Sequence, residues 1–220
     1  MRLTSWFESQ ERQWWLAVGK TCGIILAGGQ NRRMGQDKAL LPYGGMTFLE
    51  HTVSMLLTMC SDIIVVADVP DKYELPCGQV VADIFPSSGP VGGILTGLTK
   101  AGDGWHYVVA CDMPAIKRPV LELLRKAATA DYDVVVPEVN NQLEPLCAVY
   151  RHTAVPKLLK FLERGGRAAQ EGLKTLSVKR VGEGVLRRID PEVSSFININ
   201  TPEDLKAFEI FNRQNDLYLP

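Results

Sequence analysis

The sequence predicts an α/β protein, a mostly parallel twisted sheet with helices on both faces. Three observations carry that expectation. From Thr21 onward, short runs such as Ile24-Ile25-Leu26-Ala27, Ile63-Ile64-Val65-Val66 and Tyr107-Val108-Val109-Ala110 alternate with segments of helical periodicity. The runs are apolar throughout, as strands buried on both faces are. Glycine and polar residues gather just after each run, where open sheets of this class bind ligands.

Residues 1–20 stand apart as an N-terminal extension, and residues 21–220 form a single domain. The extension carries Trp6, Phe7, Trp14 and Trp15 among charges, without the apolar core of a secretory signal. It reads equally as a short amphipathic helix on the body or as a loosely attached leader. The first strand of the domain ends near Ala27. Thr47 and Glu50 stand at capping-box spacing and open a helix with Leu49, Val53, Leu56 and Leu57 on its buried face. Asp62 to Ala67 is the second strand and Gln79 to Ala82 the third. Val91 to Lys100 is a helix with Ile94, Leu95 and Leu98 apolar, and His106 to Cys111 is the fourth strand. Pro119 to Thr129 is a helix with proline in its first turn, followed by a strand from Asp133 to Val136.

The second half changes character. A strand begins after Pro145 and runs to Tyr150, and only a brief segment separates it from the strand at Val134. At least one antiparallel strand is therefore expected here. Helices follow from about Thr153 to Leu162 and from Arg167 to Lys174, then a strand from Ser177 to Val181. A last short strand, Phe196 to Asn200, enters a helix with Thr201 as N-cap, Pro202 in first position and acids in the first turn. Asn198 and Asn200 alternate along that strand and need polar partners.

Composition excludes several classes. The 220 residues hold 24 Lys+Arg and 25 Asp+Glu, a net charge of −1, which argues against broad nucleic-acid or membrane-surface binding. No run is long enough to span a bilayer. Five cysteines (Cys22, Cys60, Cys77, Cys111 and Cys147) include no Cys-x-x-Cys pair, so a zinc ribbon is unexpected and a reducing cytoplasm suits them. His51, His106 and His152 lie in helix- or strand-like segments and read as structural.

The chemistry centres on Gly23 to Leu41. The first strand breaks into Gly28, Gly29 and Gly35, with Arg32, Arg33 and Lys38 among them. Glycine lets the backbone approach a ligand closely, successive amides make an anion-binding concavity, and the cations add charge. This is a loop built to hold phosphates. It lacks the Gly-Lys-Ser/Thr of a P-loop and the Gly-x-Gly-x-x-Gly of a dinucleotide fold. Asp68, Asp83 and Asp112 follow the second, third and fourth strands. Each taken alone reads as a cap or turn residue, Asp68 foremost, but together they place carboxylates beside the phosphate loop. Pro86-Ser87-Ser88-Gly89-Pro90 leads into a helix N-terminus, an end that attracts anions.

The string Leu26-Ala27-Gly28-Gly29, then Arg33-Met34-Gly35 and Lys38, resembles the nucleotidyltransferases that build sugar nucleotides and molybdenum cofactor dinucleotides. Gly28, where other branches have alanine, makes the chain most similar to the molybdenum cofactor guanylyltransferases. Glu144-Pro145-Leu146-Cys147-Ala148-Val149-Tyr150 and Asn198-Ile199-Asn200-Thr201-Pro202-Glu203-Asp204-Leu205 extend the resemblance to about Thr21–Ile210. It implies a three-layer Rossmann-like nucleotidyltransferase fold. It further implies Mg²⁺-dependent transfer of GMP from GTP to the terminal phosphate of molybdenum-bound molybdopterin, with release of pyrophosphate. By the same resemblance Arg33, Lys38 and Asp112 are catalytic. Leu26, Ala27, Gly28, Gly29, Lys38, Asp83 and Asp112 bind the nucleotide, and Asp112 and Asn200 ligate the metal. The family often has an asparagine shortly after the second strand, where this chain offers Val66 to Asp68. Arg151, Arg164 and Arg167 are eligible to contact the pterin. Expected partners are GTP, molybdenum-molybdopterin and acceptor molybdoenzymes or other cofactor-biosynthesis proteins, with no nucleic acid and no membrane. Competing readings are cytidylyl transfer to the same cofactor, nucleotidyl transfer to a sugar phosphate, and a GTP-binding partner protein without chemistry.

Overall fold

A computed structural model describes residues 21–28, 37–75 and 77–214. The N-terminal extension, Gly29 and Arg33 lie outside the described residues.

The first half runs β1 (Cys22–Leu26), a hairpin of β2 (Pro42–Tyr43) and β3 (Met46–Thr47), α1 (Phe48–Leu57), β4 (Asp62–Ala67), β5 (Gln79–Ala82), α2 (Gly89–Ala101) and β6 (Trp105–Ala110). The second runs α3 (Arg118–Lys126), β7 (Val134–Val139), β8 (Gln142–Leu143), β9 (Cys147–Arg151), α4 (Val155–Glu163), α5 (Ala169–Leu173), β10 (Val178–Gly182), α6 (Glu183–Leu186) and α7 (Pro202–Gln214). The main sheet has the order β10-β7-β9-β6-β1-β4-β5, with β8 paired to β7. Strands β6, β1, β4 and β5 are mutually parallel, as are β10 and β7. The antiparallel strand expected after Pro145 is β9, wedged between β6 and β7.

Alternation along the strands divides the core in two. Ile25, Val65, Val109 and Val149 face one way, against Leu49, Val53 and Leu56 of α1 and Val120, Leu121 and Leu124 of α3. Ile24, Ile64, Val108 and Ala148 face the other way, against Ile94, Leu95 and Leu98 of α2 and Leu158 and Leu162 of α4. These are the three layers. Two glycines set the close approach of α2 to β1. A Cβ at Gly93 would lie 3.1 Å from Leu26 Cδ2, and one at Gly97 would lie 2.2 Å from Ile24 Cγ2. A third cluster, with Leu41, Tyr43, Phe48, Ile199 and Phe208, seats α7.

Local chemistry explains the element ends. Thr47 and Glu50 form the expected reciprocal capping box. Asn140 and Asn141 both have positive φ, 51° and 60°, which makes the tight turn joining β7 to β8. Some expectations need correction. Leu57 is 39% exposed, one position past the buried stripe of α1. Phe196 to Asn200 is not a strand: Ser194–Phe196 is a 3-10 turn, and the extended residues after it bond to a loop carbonyl rather than to the sheet. Helix α2 begins two residues earlier than expected, at Gly89, and α3 stops three residues sooner, at Lys126.

Candidate active site

The parallel strands end in step. Leu26 pairs with both Val66 and Ala110, and Ala67 pairs with Ala82. The residues that follow therefore leave one edge of the sheet. Gly28, Asp68, Asp83 and Asp112 line a single cavity of about 670 Å³ there, together with Lys38. A Cβ at position 28 would lie 3.0 Å from Asp68 Oδ1 and 3.4 Å from Asp68 N, so any other residue there would press on the loop after β4.

Lys38 is the electrostatic centre. It opens a 3-10 turn, Lys38–Leu40, whose N-cap is Asp37. Its Nζ donates to Asp112 Oδ2 at 3.1 Å and to Asn200 Oδ1 at 2.6 Å. The three residues are 74 to 162 positions apart in the chain. Asp112 follows β6 through the apolar Cys111, whose thiol is pushed well up by burial and then by the neighbouring Asp112 carboxylate. Asn200 arrives on the extended segment before α7. Ile199 N donates to Asp112 O at 2.9 Å, which lays that segment against the loop after β6. Asp204 Oδ2 accepts from Asn200 N and Thr201 N, and Thr201 Oγ1 accepts from Asp204 N, so the start of α7 is capped reciprocally. These amides, that of Asn200 first, hold the Asp204 carboxyl below its ordinary range.

Further back, Asp190 anchors the same segment. It is fully buried and accepts from Lys117 Nζ at 2.7 Å, Ser194 Oγ at 3.1 Å and Ser195 N at 2.9 Å. Burial alone would raise its carboxyl, but the Lys117 ammonium and the Ser195 amide outweigh it and hold the group low. Lys117 lies just beyond the Asp112 loop, so this ion pair ties the loops that carry Asp112 and Asn200 together. Val193, within the same turn, has a φ of 46°, a strained value for a β-branched residue.

Asp83 is held differently. Its Oδ1 accepts from Phe85 N at 2.9 Å and from Thr96 Oγ1 at 2.7 Å. Ser87, Gly89 and Pro90, at the start of α2, line the same cavity. Thirteen residues of helix begin there, which puts the positive end of the helix dipole at the cavity wall.

The donor chemistry fits a magnesium ion. The Asp112 carboxylate and the Asn200 amide oxygen converge on one cationic atom, Lys38 Nζ. Among the described residues no group of three or more His, Cys, Asp or Glu is placed to hold a metal. Mg²⁺ binds through one or two protein oxygens while keeping water and phosphate ligands, so one carboxylate and one amide oxygen would suffice to hold it.

Of the residues singled out in the sequence, Leu26, Ala27, Gly28, Lys38, Asp83 and Asp112 line the cavity, and Asn200 joins them through Lys38. Gly29 and Arg33 lie outside the described residues. Arg151 belongs elsewhere: it pairs with Trp105 at the opposite end of β6 and donates to Ala130 O. Asp37, Tyr73, Thr96 and Leu146 were not anticipated. Asp37 adjoins Lys38 and was within reach of the sequence. Tyr73 and Thr96 carry no periodic or motif signal.

The profile of the MobA-like NTP transferase domain matches residues 23–178. A molybdenum cofactor guanylyltransferase from Desulfosudis oleivorans is 35% identical, over 85% of this chain and 93% of the relative. This chain belongs to the MobA-like NTP transferase family. It is accordingly a nucleotidyltransferase. Another MobA-like relative, a probable molybdenum cofactor guanylyltransferase from Bacillus mycoides, is 31% identical over 85% of this chain and 94% of its own length. Among solved structures, molybdopterin-guanine dinucleotide biosynthesis protein A from Archaeoglobus fulgidus superposes with a TM-score of 0.76 at 29% identity, covering 88% of this chain and 99% of that one. The 2-C-methyl-D-erythritol 4-phosphate cytidylyltransferase of Thermus thermophilus shares the fold at 16% identity, with a TM-score of 0.63, over 86% of this chain and 98% of that one. Among the described residues no helix of this MobA-like chain is long and apolar enough to cross a membrane.

Proposed function

We propose that this chain transfers GMP from GTP to the terminal phosphate of molybdenum-bound molybdopterin, forming the guanine dinucleotide cofactor and pyrophosphate. The observation that carries the reading is the convergence of Lys38, Asp112 and Asn200 on one point at the carboxyl edge of the sheet. The names of the curated relatives supply the acceptor and the base.

The chemistry needs little proton transfer. A phosphate monoester has a second pKa of about 6 and is largely ionised at neutral pH. One of its oxygens attacks the α-phosphorus of the triphosphate, a new P–O bond forms, and the bond to the β-phosphate oxygen breaks. The obstacle is repulsion between two polyanions. Lys38 supplies a positive charge at the carboxyl edge of the sheet, held beside the reacting groups by Asp112 and Asn200. A magnesium ion held by Asp112 and Asn200 would add divalent charge compensation there, with the Lys38 ammonium turned from these oxygens toward the phosphates. The backbone of Leu26 to Gly28 lies against the nucleotide, and Asp83 and the first turn of α2 hold its far end.

Pyrophosphate release tests this, with molybdenum-molybdopterin as acceptor and GTP, CTP, ATP and UTP in turn. Release with GTP and Mg²⁺, at least tenfold faster than with the others, is the expected result. A preference for CTP, or for a sugar phosphate as acceptor, would overturn it.

A further inference from the structure

One hydroxyl group ties together the two ends of the phosphate loop. Tyr73 follows the 3-10 turn Pro70–Lys72, and its amide donates to Pro70 O at 3.1 Å. Its ring is buried in the cluster that also holds Ala27, Ala39 and Ala67. Its Oη lies 2.8 Å from Asp37 Oδ2 and 3.1 Å from Ala27 O. Ala27 is the last residue before the nine-residue segment 28–36, and Asp37 is the first after it. The single hydroxyl hydrogen is thus shared between the entrance and the exit of that segment, with the shorter bond to the carboxylate.

Asp37 passes the constraint on. Its Oδ1 accepts from Ala39 N at 3.1 Å, and its carbonyl accepts from Leu40 N at 3.1 Å. Those bonds set the 3-10 turn from which Lys38 projects. Both carboxylate oxygens of Asp37 already have a protein donor, which leaves the group little call to bind a substrate phosphate that would repel it. Tyr73 does not line the nucleotide cavity. Burial, and then the bond to Asp37, pushes its phenol well above the ordinary range, so it remains a donor at every physiological pH. Lys72 Nζ stands 3.9 Å from Asp37 Oδ2, but its side chain is mostly in water and the contact adds little.

We infer that Tyr73 and Asp37 are positioning residues for Lys38: a staple across the mouth of the phosphate loop that aims the ammonium at the reacting phosphate. The inference rests on the nucleotidyl-transfer reading above for its kinetic consequence. The packing around Tyr73 is that of an aromatic ring, so Tyr73→Phe removes the staple and leaves the core filled. A displacement of about 1 Å at a catalytic group costs up to about a hundredfold in rate. Tyr73→Phe is therefore expected to lower kcat for pyrophosphate release about 10- to 100-fold, with KM for the nucleotide changed less than about threefold. Asp37→Asn, which keeps the cap but turns an acceptor into a donor toward Tyr73, should behave alike.

The decisive comparison uses Lys38→Met. If Tyr73 acts through Lys38, Tyr73→Phe costs nothing further in that background, whereas a merely structural role costs the same factor in both. Equal losses in the two backgrounds, or a Tyr73→Phe enzyme within twofold of wild-type kcat, would overturn the inference. Amide exchange at Ala39 and Leu41 gives a readout that needs no turnover. It should quicken in Tyr73→Phe while the strand amides do not change, and unchanged exchange overturns the staple. Wild-type protein inert toward GTP would instead count against the proposed function, with the exchange comparison still deciding the staple.

Discussion

Replacing Lys38 by methionine keeps the length and apolar stem of the side chain and removes its charge. At the 3.1 Å separation from Asp112, two unit charges at an effective dielectric of about 20 attract by about 5 kcal/mol before desolvation is subtracted. Both side chains are mostly buried, 16% and 21% exposed, so after solvent screening the net loss of folding stability should be about 1–3 kcal/mol. The loss in the transition state is larger. Removing one preorganised group aimed at developing charge costs about 10²- to 10³-fold in kcat, or about 2.7–4 kcal/mol. The methionine variant should thus lose two to three orders of magnitude in turnover while its thermal midpoint falls by no more than about 10 °C, leaving it folded at assay temperature. Lys38→Arg should fall between, because a planar guanidinium cannot occupy one point shared by Asp112 and Asn200 as an ammonium does. Steady-state pyrophosphate release, read beside thermal denaturation, makes the comparison. Near-normal kcat in the methionine variant would refute the electrostatic account of the site.

Other perturbations probe the parts that hold this centre. Gly97→Ala should destabilise the protein by about 1–2 kcal/mol, since overpacking against Ile24 exceeds the helix-propensity gain; Gly184→Ala, where a Cβ meets open space, should not. Urea denaturation reads both. Asp83→Asn should raise KM for the nucleotide about tenfold or more with a smaller change in kcat, because it removes a charged acceptor from the binding loop without touching Lys38. Asp190→Asn should cost about 1.5–3 kcal/mol at neutral pH, the worth of charged hydrogen bonds to a buried carboxylate. The folded Asp190 carboxyl titrates below its unfolded value, so its contribution is complete above about pH 4 and fades as pH falls through the folded value. The gap between wild type and variant should therefore close on acidification, and a constant gap from neutral to acid pH would refute the assignment.

The strands were legible because each is a run of β-branched and apolar residues that only a sheet covered on both faces can bury. Asp62–Ala67 and Gln79–Ala82 emerge with the ends expected of them. The Thr47–Glu50 cap was legible because its two partners are three residues apart. The short hairpin β2–β3 and helix α6 were not, since neither is long enough to show a period. Phe196 to Asn200 misled because its apolar-polar alternation matches a strand, while its hydrogen bonds go to Asp112 and Lys38 instead of to a ladder.

What the sequence determined by itself is the layered α/β architecture, a phosphate-holding loop and, through the resemblance of the Leu26–Lys38 string to a nucleotidyltransferase family, the kind of chemistry, because burial periodicity and a contiguous motif are local properties of the chain. What only the tertiary structure decided is which charges meet. Lys38 finds Asp112 and Asn200 because parallel strands end in register and a capped helix returns the C-terminal segment to their edge. Tyr73 reaches Asp37 for the same reason, as two loops issuing from neighbouring strands share one rim. Such pairings depend on distances across the fold, which no spacing along the chain encodes.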